Sequence, residues 1–164
     1  PRELAFGDIE ALGPIPEFID GPPQDTWQKG RCVELTLVHN AFKNGDASCN
    51  HAQETCVVHY QGGPSFYIGP QQKHKVIARF NAPADTSPAI IELEFGRGIV
   101  ILSGVHFERG AEDLRAMSYT VRNDDFTASA EDLRKLEETR NTLIKLRNYV
   151  FERLHSQSRV AAAI

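Results

Sequence analysis

The segment from 90 to 108, IIELEFGRGIVILSGVHFE, constrains the fold more than any other, because two apolar runs in it flank a glycine-rich tripeptide. Gly96 and Gly98 favour a tight reversal, since glycine adopts backbone conformations that other residues resist. The run after the reversal, IVILSG, is continuously apolar and is typical of a strand buried on both faces. We therefore predict two adjacent strands that end directly before His106 and Glu108.

Composition places this hairpin in one globular domain. The chain has 164 residues, of which 41% are hydrophobic and 24% are charged, so a sizeable core can form. No window of the sequence approaches the roughly 18 consecutive apolar residues that a membrane helix needs. The formal net charge of -4 gives no electrostatic reason to expect nucleic acid as a partner. Three cysteines are too few for a disulfide framework, which favours a reducing compartment and a cytoplasmic location.

Further strands are predicted before the hairpin. Segments with the sequences CVELTLVHN, TCVVHY, PSFYI, HKVIARF and PAIIELEF are rich in β-branched and aromatic residues and are separated by turn formers. The first 30 residues carry many glycines and prolines, which predicts ordered loop with short strands at most. A run of strands followed by helix indicates a partial α/β or an α+β domain, because a complete parallel α/β fold alternates the two.

A long amphipathic helix is predicted to begin after Ser129, which forms a capping-box pattern with Asp132. Apolar residues recur in it at near-helical spacing, namely Leu133, Leu136, Leu143, Ile144, Val150 and Leu154. We expect this helix to pack on the sheet, with a partner-binding or coiled-coil helix as the alternative. The predicted divisions are a core at 1–112, a connector at 113–128, the helix at 129–155 and a frayed tail at 156–164.

His106 and Glu108 are the residues best suited to chemistry. A histidine takes up and returns a proton near neutral pH, and a nearby carboxylate can hold its tautomer and stabilise its cation. In the sequence HFE both side chains can leave the same side of an extended turn while Phe107 anchors the other side. Gly104 lets the chain turn sharply before the histidine. On spacing alone, a structural histidine with a neighbouring carboxylate explains the pattern equally well.

A zinc site is the first alternative to consider, since Cys49, His51, Cys56 and His59 are all zinc-binding residue types. Their spacing is C-x-H and C-x-x-H. Cys56 and His59 are three residues apart on a predicted strand, so their side chains point to opposite faces and do not share a metal ion easily. We therefore predict no metal site and no cofactor.

The order and spacing of these segments resemble the amidotransferase-like N-terminal domain of eukaryotic biotin–protein ligases and related free-standing proteins. In that family a strand like CVVHY runs into QGGPSF, followed by strands like KVIARF and AIIEL, a Gly-x-Gly turn and an end like GVHFE. The opening LAFGDIEALGPIPEF resembles the loop after the nucleophile helix of the family. The resemblance covers roughly residues 1–112. It implies the carboxyl half of a class I glutamine amidotransferase-like, flavodoxin-like sheet, followed by the long helix.

The resemblance also implies roles for individual residues. His106 would be the base and Glu108 the orienting carboxylate of a Cys-His-Glu triad, while Gly96 and Gly98 would serve the hairpin turn and Gly104 the turn before the histidine. The loop beside the site would contain Tyr60, Gly62, Gly63 and Phe66. For the two aromatic residues of this loop, packing in the core is the alternative.

None of the three cysteines has the sequence context of a nucleophile. A reactive thiolate needs a sharp strand-to-helix turn of the Gly-x-Cys-x-Gly kind. Cys32 enters a strand, Cys49 lies in a polar loop and Cys56 lies within a strand. In the family this turn precedes the part that residues 1–18 resemble, so we expect the chain to begin after its nucleophile and to be inactive by itself. Gly96 and Gly98 belong to a turn rather than to a phosphate-binding motif, so we expect no adenylation of biotin.

The sequence therefore favours an amidotransferase-like accessory or regulatory domain. Its expected partner is a downstream biotin ligase catalytic domain or another protein, and the residues specify no particular small-molecule ligand. The alternatives are a non-catalytic module that binds a small molecule or a protein, and a self-contained cysteine hydrolase that uses Cys49 or Cys56. The reactivity of the thiols discriminates between these hypotheses.

Overall fold

The computed structural model describes residues 9–14, 30–38, 54–82, 86–120 and 128–161. Within these ranges strands come first and helices follow, as the sequence predicts. The strands are β1 (Ile9–Pro14), β2 (Arg31–Leu37), β3 (Thr55–Tyr60), β4 (Pro64–Ile68), β5 (His74–Phe80), β6 (Pro88–Phe95) and β7 (Gly98–Ser103), and the helices are α1 (Ala111–Thr120), α2 (Ala130–Glu138) and α3 (Arg140–Ala161). Most of the first 30 residues, for which the sequence predicts loop, lie outside the described ranges.

The main sheet has five strands in the order β3-β2-β5-β6-β7, and all of its neighbouring strands are antiparallel. β1 and β4 form a separate antiparallel ribbon. The predicted hairpin is confirmed, because Phe95 pairs with Gly98 and the intervening Gly96 has a φ of 58° that glycine adopts without strain. The described part of the fold is therefore mixed α/β with an antiparallel sheet. His106 follows a hairpin strand, not a strand of a parallel sheet.

β7 differs from its predicted environment. Its apolar run predicts burial on both faces, yet the strand is half-buried from Gly98 to Leu102. β7 lies at the end of the strand order, and an edge strand keeps one side open even when its sequence is apolar. The strand that is buried on both faces is its partner β6, in which Ile90 and Ile91 are both fully buried.

Two apolar layers cover the faces of the sheet. The helices supply one layer, in which the buried leucines are Leu114, Leu136, Leu143 and Leu146. The ribbon supplies the other, in which Ile9 and Phe66 pack on Ile91 and Leu93 of β6. Complete burial of one such aliphatic side chain contributes about 1.5–3 kcal/mol, so these layers hold the sheet between helices and ribbon.

The helical region begins with the predicted capping box, which is confirmed. The Ser129 hydroxyl accepts a hydrogen bond from the Asp132 amide at 3.0 Å, and the Asp132 carboxylate accepts one from the Ser129 amide at 3.3 Å. The predicted long helix is divided at Thr139 into α2 and α3. The hydroxyl of Thr139 accepts a hydrogen bond from the Val57 amide of β3 at 3.0 Å. The division therefore satisfies a backbone donor on an edge strand.

α3 extends to Ala161, beyond the predicted helix end at 155. Its buried side chains are Leu143, Leu146 and Val150. Ile144 and Leu154 belong to the predicted apolar stripe but are 38% and 39% exposed. The buried face of a helix repeats every three to four residues, and position 146 falls on that face whereas position 144 does not. None of the described helices has the length and apolar character needed to cross a membrane.

A buried ion pair connects α3 to the middle of the sheet. Glu92 of β6 is 7% exposed, and the Arg153 guanidinium donates to both of its carboxylate oxygens, with Nε 2.9 Å from Oε2. In the same region Lys75 of β5 donates to the Tyr149 hydroxyl at 2.8 Å and lies over the Tyr149 ring. The hydrogen bond from Arg153 holds the pKa of Glu92 below its ordinary value, so the carboxylate is charged at neutral pH.

We predict that Arg153→Met lowers the free energy of unfolding by about 2–3 kcal/mol near neutral pH, because Glu92 stays buried without its guanidinium partner. The ion pair with Arg153 stabilises the fold only while the Glu92 carboxylate is charged. This stabilisation is present above the ordinary pKa of a glutamate and is lost as the pH falls through the lowered pKa of Glu92. Urea unfolding of the wild type and the variant, at neutral pH and in acid, measures the difference and its pH dependence.

Lys145→Met is the matched control for this prediction. Lys145 pairs with Glu54 at 2.7 Å, but both side chains are more exposed than Glu92, so its loss costs less than about 1 kcal/mol. Equal losses for Arg153→Met and Lys145→Met would contradict the prediction.

Candidate functional site

The segment after β7 crosses to the opposite edge of the sheet and carries His106 with it. The amide of Gly104 donates to the Ala89 carbonyl of β6 at 2.9 Å, and the amide of His106 donates to the His59 carbonyl of β3 at 2.8 Å. β3 and β7 are the two ends of the strand order, so the bridge between His59 and His106 brings the edges of a curled sheet together. His106 is fixed by the closure of the sheet.

Gly63 and Gly104 make this closure possible. A Cβ on Gly63 would lie 2.0 Å from the Gly104 carbonyl oxygen, and a Cβ on Gly104 would lie 1.9 Å from the Pro64 carbonyl oxygen. Neither position therefore admits a side chain. Gly62 has a φ of 66°, and the Tyr60 hydroxyl donates to the Gly63 carbonyl at 2.9 Å. The predicted loop at Gly62 and Gly63 thus lies against the segment that leads to His106.

The two aromatic residues predicted for the same loop lie in different layers of the core. Tyr60 is fully buried on the helix side and meets the Phe80 ring edge to face, with centroids 5.9 Å apart. Phe66 is buried on the ribbon side. Tyr60 and Phe66 therefore pack in different layers of the core, and Phe66 also lines a groove beside the ribbon.

His106 and Glu108 form a hydrogen-bonded pair at the surface. The His106 Nδ1 atom lies 2.8 Å from Glu108 Oε1, and the two side chains are 38% and 50% exposed. Partial burial acts to raise the pKa of Glu108. Hydrogen bonds from its own backbone and from His106, together with the charge of Arg109, outweigh burial and hold this pKa below its ordinary value. A charged carboxylate accepts, so Nδ1 of His106 carries a proton, and in the neutral form of the ring Nε2 is the atom with the lone pair.

Arg147 of α3 positions the turn that contains this pair. Its Nε donates to the Phe107 carbonyl at 2.7 Å, and its Nη2 donates to the Glu108 carbonyl. The turn is therefore held from the helix layer as well as from β3. The sequence pattern does not predict this role for Arg147, since its one signal is a charged residue beside the apolar stripe of the helix.

His59 and Arg109 complete the cluster around His106. The buried imidazole of His59 lies against the His106 ring, with centroids 5.4 Å apart and an angle of 29° between the planes. The Arg109 guanidinium lies 3.0 Å from His59 Nδ1. Burial, followed by the charges of Arg109 and His106, lowers the pKa of His59 to about 4. His59 is therefore neutral at neutral pH. The sequence pattern suggests only a zinc-binding role for His59.

In the described ranges the Cys56 thiol is buried and the Cys32 thiol is half-buried. Burial raises the pKa of Cys32 and of Cys56 to about 12, so neither forms a thiolate near neutral pH. Cys49 and His51 lie outside the described residues. Among the described residues no three His, Cys, Asp or Glu side chains are grouped so that they could hold a metal ion.

The described part of the surface includes at least two grooves. One, of about 510 Å³, lies beside the ribbon and includes Leu12, Tyr67 and Arg79 in its lining. The other, of about 140 Å³, runs between the start of α1 and the helices α2 and α3, and Arg140 and Arg147 are among its lining residues. Arg147 therefore connects the second groove to the turn of His106 and Glu108.

These elements define an α/β domain that presents a histidine–carboxylate pair where its curled sheet closes. A family model described as "Biotin-protein ligase, N terminal" matches residues 1–158. The chain therefore belongs to the family of biotin–protein ligase N-terminal domains, which confirms the family that the sequence resembles. No curated protein and no solved structure matches the chain.

We predict that Gly104→Ala lowers the free energy of unfolding by about 3 kcal/mol or more, because the new methyl group would meet the backbone of Pro64. Amide hydrogen exchange at His106 should accelerate as its hydrogen bond to His59 weakens. Gly98→Ala is the matched control, since the nearest atom to its Cβ is 3.8 Å away. Similar stability of the two variants in thermal unfolding would overturn the prediction.

Proposed function

We propose that this chain is an amidotransferase-like accessory or regulatory domain in which His106 and Glu108 are the base and orienting carboxylate of a Cys-His-Glu arrangement. The observation that carries the proposal is the 2.8 Å contact between His106 Nδ1 and Glu108 Oε1 on a turn that is anchored from two sides. An orienting carboxylate on Nδ1 is the arrangement that leaves Nε2 free to accept a proton from a nucleophile.

The chemistry follows from the charge on Glu108. Its lowered pKa keeps the carboxylate ionised at neutral pH, so it stabilises the imidazolium that forms when His106 takes up a proton. Partial exposure of the His106 ring leaves it accessible to a reacting group from outside the described part of the chain. The imidazole of His106 and the carboxylate of Glu108 together supply the general base. An amidotransferase also needs a thiolate nucleophile and hydrogen-bond donors for the oxyanion, which this pair does not supply.

The proposal assigns the thiolate to none of the cysteines in this chain. Cys56 is buried, Cys32 is half-buried, and the pKa values of both thiols are raised to about 12. Cys49 has the sequence context of a polar loop. The corresponding proposal for the fold is that the antiparallel sheet belongs to the carboxyl half of a flavodoxin-like amidotransferase domain. The order of the sequence segments and the family match at 1–158 support it.

The proposed partner of this chain is a biotin ligase catalytic domain, and the proposed location of both is the cytoplasm. Family membership supports this partner, because the family is defined by the N-terminal part of biotin–protein ligases. Within this proposal the domain regulates or accompanies the ligase and does not adenylate biotin, since Gly96 and Gly98 form the β6–β7 turn.

The purified chain should release no ammonia from glutamine above the background of His106→Ala. Iodoacetamide near neutral pH should modify Cys32 and Cys56 far more slowly than free cysteine, because burial keeps both thiols protonated. Peptide mapping after a time course measures the rates. A rapidly alkylated cysteine together with His106-dependent ammonia release would replace the proposal with a self-contained cysteine hydrolase.

Glu108→Gln should shift His106 away from the Nδ1–H tautomer, because an amide no longer provides a charged acceptor. Nitrogen-15 NMR of the imidazole distinguishes the two neutral tautomers. Glu112→Gln is the control, since it removes the same charge from an exposed position in the first turn of α1. An unchanged tautomer in Glu108→Gln would remove Glu108 from its proposed role.

A further inference from the structure

His59 lies on the inner side of the proposed base. His59 and His106 are antiparallel partners across their bridge, so their side chains leave the backbone on the same side. Their rings are stacked, with His59 fully buried and His106 partly exposed. The His59 ring therefore supports the face of the His106 ring that is turned away from solvent.

Arg109 lies between two acceptors in this cluster. Its Nη1 is 3.0 Å from His59 Nδ1, and its Nε is 3.7 Å from Glu108 Oε1. The same Oε1 atom accepts the hydrogen bond from His106 at 2.8 Å. A guanidinium prefers a carboxylate to a neutral imidazole, because charge-assisted hydrogen bonds are the stronger ones. This oxygen can accept two hydrogen bonds, but a guanidinium drawn close to it would weaken the hydrogen bond from His106, so Arg109 is a competitor of His106 for the negative charge of Glu108.

We propose that His59 is a positioning residue for His106: it holds the Arg109 guanidinium on its own Nδ1 atom and so keeps Glu108 available to His106. The inference rests on the proposed function, since it bears on catalysis only if His106 is the base. An arginine has donors and no acceptor, so Nδ1 of His59 carries the lone pair and its neutral ring carries the proton on Nε2.

The charge state of His59 supports this role. The groups that face it are Arg109, His106 and Glu108. Burial is the largest influence. The positive charge of Arg109, and that of His106 when its ring is protonated, add to it, so the pKa of His59 falls to about 4 even though Glu108 acts in the opposite direction. His59 therefore remains a neutral acceptor through the range in which histidines ordinarily titrate. A protonated His59 would repel Arg109 and release it toward Glu108.

The decisive variant is His59→Phe, which keeps a flat ring of similar size and removes the acceptor. Arg109 then turns to Glu108, and the ratio of Nδ1–H to Nε2–H tautomer at His106 should fall about fivefold. In the double variant His59→Phe/Arg109→Gln the competitor is absent, so the tautomer ratio should return toward that of the wild type. Nitrogen-15 NMR of His106 provides the readout in each protein.

His59→Phe/Arg115→Gln is the matched control, because it removes one positive charge from an exposed position of α1. It should not restore the tautomer ratio of His106. An unchanged tautomer ratio in His59→Phe would overturn the inference. So would a reduced ratio that the second substitution at Arg109 fails to restore, because His59 would then act by packing alone.

A measurement on the wild type keeps the test independent of the folding of the variants. The Nδ1 resonance of His59 should be that of an unprotonated nitrogen down to about pH 5, and a proton on Nδ1 would overturn the inference. This signal does not depend on the hydrogen bond between Glu108 and His106. If Glu108→Gln leaves the His106 tautomer unchanged while His59 behaves as expected, the proposed function fails and the contact between His59 and Arg109 still stands.

Discussion

The backbones of Gly63 and Gly104 approach so closely that a methyl group on either one would overlap a carbonyl oxygen. This contact is the constraint on which the candidate site depends, because it lets the segment after β7 reach β3 and pair there through His59 and His106. The same closure protects the edge of β3. His106 uses the carbonyl of His59, and Thr139 uses the amide of Val57, so polar groups that would invite another strand are occupied.

The surface pair of His106 and Glu108 is a consequence of this framework and does not hold it together. A contact between side chains that are 38% and 50% exposed contributes about 0–1 kcal/mol to stability. The two hydrogen bonds from Arg147 to backbone carbonyls and the backbone bridge to His59 are individually as strong or stronger. The turn is therefore set by its backbone, and the side chains of His106 and Glu108 meet because the backbone places them together.

Local sequence signals predicted the elements well. Segments rich in β-branched and aromatic residues predicted β2 to β6. The pair Gly96 and Gly98 predicted the hairpin, and Ser129 with Asp132 predicted the start of α2. These features depend on residues close together in the chain. The exposure of β7 could not be predicted in this way, because it depends on the position of β7 in the strand order. The division of the helix at Thr139 could not be predicted either, because it accompanies a hydrogen bond to Val57, 82 positions away.

The sequence by itself determined the family, the order of strands and helices, and the presence of His106 two residues before Glu108 on a turn. The elements and the pair are written in short stretches whose meaning does not depend on distant residues, and the family is indicated by the order and spacing of these stretches along the chain. The tertiary structure alone decided that His59 lies against His106, that Arg109 lies between His59 and Glu108, and that Arg147 holds the turn. These contacts join residues as many as 50 positions apart. They form only where the sheet curls and closes, since that closure is what brings β3, the turn and α3 within hydrogen-bonding distance.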